Sequence, residues 1–122
     1  MSQSDNSVFV IYRQGNFNVD EISQKLDLNP DKALRCSESD KNSIWKMFCK
    51  DKDLALEEQI ESWISLLLSK RDLLNDLKKD GWAIELDCLI QPNEGAAVVG
   101  LESELLKRLS NLHVNLIIRF WG

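Results

Sequence analysis

Few residues in this chain have the type and spacing to do chemistry. Glu85 and Asp87 stand two apart within Trp82–Ile90, and alternate residues of an extended strand point to one face. Two carboxylates on one face are the raw material of a glycosidase-like acid pair. The plainer expectation for them is a solvated polar strand face. His113 is the sole histidine and falls between a helix and a strand. No serine or cysteine pairs with it at a recognisable motif spacing, so it is expected to be a structural or surface residue rather than a general base or a ligand. Three scattered cysteines (Cys36, Cys49, Cys88) and one distant histidine are a poor source of the four ligands a zinc ion takes. Cys36 and Cys49 have the placement to face each other across a hairpin, although buried thiols are the simpler expectation, because free cysteine packs as a small apolar residue. The five glycines are dispersed, so no phosphate-cradling loop is present. No catalytic residue, metal or cofactor is therefore expected.

The densest acidic cluster is Asp51, Asp53, Glu57, Glu58 and Glu61. It lacks the glycine and terminal glutamate of a calcium loop. Acidic residues belong at a helix start, where they oppose the macrodipole. The same residues would also form a docking patch for a basic partner. The overall charge leans the same way. Net charge is −5; residues 1–62 hold 12 acidic against 8 basic side chains, and residues 63–122 hold 8 against 7. A phosphate-reading surface needs clustered Lys and Arg, so direct nucleic-acid binding is not expected. An acidic balance also simply keeps a protein in solution.

The elements that position these residues follow from local patterns. Val8-Phe9-Val10-Ile11-Tyr12 is an unbroken β-branched and aromatic run, as in a strand covered on both faces near the centre of a sheet. Gly15-Asn16 turns the chain. Asn18 then reads as the cap of a short helix, with Glu21 completing a capping box and Phe17 and Ile22 a hydrophobic staple. Asn29-Pro30 ends that helix. Lys32–Cys36 and Ile44–Cys49 read as a hairpin around the polar loop 37–43, with Trp45 free to take either face. Asp53 reads as the cap of the next helical stretch, Leu54–Lys79. As one helix that stretch would run about 39 Å, so two helices, or a bend near Ser69–Asp72, are expected. Asp80-Gly81 closes the unit. Trp82, Ile84, Leu86, Cys88 and Ile90 share the buried face of a strand. Gln91–Gly95 turns, and Ala96–Val99 is a short strand or an extended lead-in. Leu101, Leu105, Leu106, Leu109 and Leu112 mark a last helix, and Val114–Trp121 a last strand. Trp63 and Trp82 are expected in the core. For Trp121, on the opposite face from Phe120, an exposed anchor for a partner or second subunit and a covered position both remain open.

The order β-α-β-β-α-β-(β)-α-β predicts a ferredoxin-like α+β sandwich: a mostly antiparallel sheet with helices on one face, extended by a C-terminal helix and strand. At 122 residues this is one domain, preceded by a disordered polar stretch over residues 1–7. No apolar run approaches the roughly 20 residues that span a bilayer. The polar N-terminus has no secretory pattern, and the odd cysteine count suits a reducing compartment. A cytoplasmic protein is expected.

Val10-Ile11-Tyr12, Asp20-Glu21-Ile22-Ser23 and Leu26-Asp27-Leu28-Asn29-Pro30 resemble the I-S-x-x-L-x-L-x-P opening of the bacterial domain-of-unknown-function family 4279. Trp45, the leucine-rich helix at Glu57–Leu68 and the closing L-x-x-L-x-x-L-x-V-x-L-x-I run at Leu106–Ile118 are similar too. Arg35 and Cys36 stand where members usually carry a glycine, and Phe120-Trp121 where a tyrosine is commoner. The resemblance implies a small α/β sandwich without established catalysis, some members looking like immunity partners of bacterial toxins. The functional expectation is thus a non-enzymatic bacterial immunity protein. It would neutralise a basic toxin, for example a nuclease, by occluding its active site through Asp51, Asp53, Glu57, Glu58, Glu61 and Trp121. The alternative is a small-ligand-binding or regulatory module. Either a monomer or a homodimer is compatible with the sequence.

Overall fold

The computed structural model describes residues 4–36, 41–51, 53–92 and 98–120. The elements are β1 (Ser4–Gln14), α1 (Asp20–Leu26), β2 (Lys32–Leu34), β3 (Asn42–Phe48), α2 (Leu56–Leu67), a 3-10 turn (Leu68–Lys70), α3 (Arg71–Lys79), β4 (Ala83–Gln91), α4 (Ser103–Ser110) and β5 (Asn115–Phe120). They build one five-stranded sheet in the order β2-β3-β1-β4-β5. β1 runs antiparallel to both β3 and β4, and β2 to β3. β5 lies parallel beside β4. The first four strands thus have the split β-α-β order of a ferredoxin-like sandwich, and α4 carries the chain across to the added edge strand.

All four helices bury their apolar sides in one core with Phe9 and Ile11 of β1, Trp45 and Met47 of β3, and Ile84, Leu86, Cys88 and Ile90 of β4. The helices therefore share one face of the sheet. β1 sits at the centre, as its apolar run predicts, but only one of its faces is covered by helices. Val8 and Val10 lie on the other, open face.

Local signals explain much of this and fail at identifiable points. Asn18 does not cap α1; Val19 occupies the cap position. Asn18 Oδ1 accepts instead from the Asp20 N–H at 3.1 Å. α1 ends at Asp27, which adopts a left-handed conformation (φ 53°) that Asp tolerates better than most residues. The polar start is not disordered from residue 4 onward. Ser4 and Asp5 pair with Gln91 and Ile90, so β1 begins before the expected apolar run. The long helical stretch is split by the 3-10 turn where the sequence places a break. Gly81, φ 108°, follows α3 as its terminator. Leu106 lies exposed rather than on the apolar stripe of α4. Ala96 and Ala97 fall outside the described residues, and Val98 and Val99 form no strand. Cys36 and Cys49 do not face each other. The Cys36 N–H reaches Ser43 Oγ at one end of β3, while the Cys49 N–H donates to the Ser7 carbonyl beyond the other. Cys49 and Cys88 are buried and Cys36 is half-buried.

Candidate functional site

The acidic cluster sits where β3 hands the chain to α2. Asp51 Oδ1 accepts from the Asp53 N–H at 3.2 Å, which folds the loop back on itself. Asp53 does not cap α2. The cap is the Asp5 carboxylate, whose Oδ2 accepts from the Leu56 N–H at 2.9 Å. Gln59 locks the same corner: its amide donates to the carbonyls of Asp5 and Leu54, both at 2.9 Å. Its Oε1 accepts from Ser7 Oγ at 2.7 Å, and Ser7 Oγ accepts from the Trp63 indole at 2.8 Å. A fully satisfied buried network of this kind fixes a rigid platform.

The three glutamates of the cluster lie on two flanks of α2. Glu57 and Glu61 lie one turn apart on the α4 side. Glu61 Oε1 is paired with Arg108 at 2.9 Å, and Glu57 borders a hollow with Val98–Leu101. Glu58 lies on the other ridge, one turn before Ser62 and two before Leu66, a spacing that puts all three in line. That ridge overlooks a recess of about 200 Å³ with an apolar floor of Met47, Leu54, Trp63 and Leu66, and with Asp51 on its rim. Lys50, the basic residue at this rim, is engaged by Asp31 at 2.9 Å. The Asp31 carboxyl is held below its ordinary range by the Phe48 N–H and then by Lys50. Asp51, Asp53, Glu57 and Glu58 are exposed. An apolar centre inside a polar rim is the anatomy of a protein-docking patch. Trp121 lies outside the described residues.

The second surface is the open face of the sheet, where Glu85 and Asp87 do share a side. Their surroundings are not simply solvated. The Tyr12 hydroxyl donates to Glu85 Oε1 at 2.8 Å, and that bond raises the phenol above its ordinary pKa. Asp87 is raised by burial first and then by the charge of Glu85, with Arg119 and Lys46 acting against the shift. Asp87 Oδ1 and Asn6 Oδ1 are buried without a hydrogen-bond partner among the described residues. These groups border a concavity of about 320 Å³ floored by Val8, Val10, Phe48 and Leu89. Sequence spacing found the carboxylates; cross-strand register was needed to find Asn6, Lys46 and Arg119 beside them.

His113 takes a left-handed backbone (φ 62°) in the α4–β5 connection and borders a separate hollow with Lys78 and Leu106. Burial pushes the Cys88 thiol up to about 12, which makes it a poor nucleophile. Among the described residues no group of three or more His, Cys, Asp or Glu is arranged to hold a metal ion, and no helix is long and apolar enough to cross a membrane.

The fold and its two surfaces define a small α+β sandwich with a rigid acidic corner on the helical side and a mixed-charge concavity on the sheet side. Residues 6–121 match the family described as domain of unknown function (DUF4279), and the chain belongs to that family. No curated protein and no solved structure matches it.

Proposed function

We propose that this protein is a non-enzymatic, cytoplasmic interaction protein, most concretely an immunity protein that binds and neutralises a basic bacterial toxin. The observation that supports this reading is the apolar recess beside α2, with Asp51 on its rim and Glu58 on the ridge above it, carried on the buried Asp5–Ser7–Gln59–Trp63 network. Exposed carboxylates at Asp51, Asp53 and Glu58 would steer a basic surface to the recess. Leu54 and Leu66 would supply the desolvated contact that holds it. Inhibition then needs no chemistry: the bound chain covers the partner's basic active-site region and excludes its substrate, a nucleic acid if the partner is a nuclease. Glu57 extends the acidic surface around the helix, while Glu61 is largely committed to Arg108.

The test is co-expression with the product of the neighbouring gene, followed by titration of the purified pair. Charge reversal at Asp51, Asp53 and Glu58 is expected to slow association and make it less sensitive to salt. Unchanged binding would remove this surface from the account.

A second reading, a small-ligand-binding or regulatory module, draws on the open-face concavity, whose volume suits a metabolite rather than a protein side chain.

A further inference from the structure

We propose that the open face of the sheet is a binding site for a small zwitterion with an apolar body, the chemical class of a free α-amino acid. This deepens the small-ligand reading and rests on it, and it is independent of the docking surface across the sheet.

Three observations converge. First, Val8-Phe9-Val10-Ile11-Tyr12 has the composition of a strand covered on both faces, yet the helices cover only the Phe9–Ile11 face. The other face supplies an apolar floor of Val8 and Val10, flanked by Phe48, which pairs with Val8 across β1–β3. Second, the two buried side-chain atoms without partners among the described residues, Asn6 Oδ1 and Asp87 Oδ1, are both oxygens that can accept. Register makes them diagonal neighbours, since Asn6 opposes Leu89 and Val8 opposes Asp87. Diagonal pairs on one face lie roughly 7–8 Å apart at their backbones, so the two side-chain oxygens face the same stretch of the concavity. A group that donates two hydrogen bonds from one centre answers both, and a primary ammonium does so with charge assistance at Asp87. Third, Arg119 stands diagonally across from Asp87 on β5, because Leu89 opposes Arg119 and Asp87 opposes Ile117. Its guanidinium lies near enough to Asp87 to favour its charge, yet it makes no hydrogen bond or close ion pair among the described residues. A guanidinium in that position is suited to a bidentate carboxylate.

Donor-seeking and anion-seeking groups thus occupy diagonally adjacent positions on one face, within reach of a single small molecule that carries both charges. The apolar side chain would lie over Val8, Val10 and Phe48, with Lys46 at its far end opposite Val10. Glu85 Oε1 is taken by Tyr12, and Glu85 also hydrogen-bonds with Asp87. Asp87 Oδ1 is without a partner among the described residues and is the oxygen that would meet the ammonium. An ammonium favours the ionised Asp87 carboxylate, so the raised carboxyl would release its proton to solvent on binding, and affinity should rise with pH across that titration. Glu85, Tyr12, Lys46 and Arg119 are the charged or titratable groups facing it.

The experiment is thermal denaturation and calorimetric titration of the full chain. The ligands are L-leucine and L-phenylalanine, the charge-deleted analogues leucinamide and N-acetyl-L-leucine, and a panel of sugars, nucleotides and simple carboxylic acids. The free amino acids are expected to raise the melting temperature, and neither analogue should do so. Asp87→Asn and Arg119→Gln, checked for folding by circular dichroism, should each weaken binding roughly tenfold or more. Glu104→Lys, exposed on α4 on the helical side, should leave it unchanged. Stabilisation by other panel members but not by amino acids would overturn the zwitterion assignment while leaving a small-ligand site. No response to any compound would overturn both. A concentration-dependent dimer abolished by Val10→Lys would assign the face to a second copy instead.

Discussion

The Asp5 carboxylate caps α2 from 51 residues away, accepting the Leu56 N–H at 2.9 Å. A buried side chain at the start of the central strand thus sets the first turn of the helix that carries Glu57 and Glu58. An anion here also meets the positive end of the helix dipole. Asp5→Ala is expected to destabilise the fold by about 1–2 kcal/mol, read from urea denaturation midpoints. An effect within experimental error would mean that other groups already satisfy this helix start.

Gln59 should matter more than a polar helix residue ordinarily does. Gln59→Ala strands the carbonyls of Asp5 and Leu54 and removes the acceptor for the Ser7 hydroxyl. Each buried group left unpaired carries a penalty, so a loss of about 3 kcal/mol is expected in the same assay. Ser7→Ala, which breaks fewer bonds, should cost less.

Gly81 and Gly100 make a controlled pair. At Gly81 the backbone has φ 108°, and an added Cβ would come within 3.0 Å of the Arg13 guanidinium. That guanidinium stacks 3.9 Å from the centre of the Phe17 ring. Gly81→Ala should therefore destabilise by roughly 1–2 kcal/mol. At Gly100 a Cβ meets nothing within 4 Å, and Gly100→Ala should be neutral or slightly stabilising. Equal effects at the two positions would contradict this account of Gly81.

How much of this was legible beforehand divides along the range of the interactions. Periodicity reveals the strands and helices, and their order points to the split β-α-β plan, while the edge and the parallel direction that β5 takes beside β4 are visible only in the structure. A break near Ser69–Asp72 is visible in the length of the stretch; the structure places it at Leu68–Lys70, with no side-chain cap on α3. Local pattern misplaces the caps. Asn18 and Asp53 are good local candidates, but one is displaced by a position and the other is outcompeted by Asp5, a residue remote in sequence. Asp5 and Ser7 looked like a solvated leader because polarity says nothing about a partner on another element. The carboxylate pair was legible in the two-residue spacing of Glu85 and Asp87. Asn6, Lys46 and Arg119 were not, since only strand register brings them to the same place.

Asp87 gives the open face a pH signature. Its carboxyl is raised in the folded chain by burial and by Glu85, above the value near 3.9 of an unfolded chain. A group shifted this way stabilises the fold below its unfolded pKa, and that contribution is lost as pH rises through the folded one. Asp87→Asn removes the penalty of a half-buried charge at neutral pH. The variant should match the parent at acidic pH and exceed its stability near neutrality, as measured by thermal melts across pH. A constant difference over that range would show that Asp87 titrates normally.

The most direct test of the central claim is binding between this protein and the product of the neighbouring gene, measured by titration with the native chain and with the Asp51→Lys, Asp53→Lys, Glu58→Lys triple variant. The account predicts one basic partner, held by the native chain in a complex that suppresses its toxicity. Association should weaken as salt rises, and the triple variant should lose most of the affinity while remaining folded. An acidic or absent partner, or equal binding by the two proteins, would contradict it.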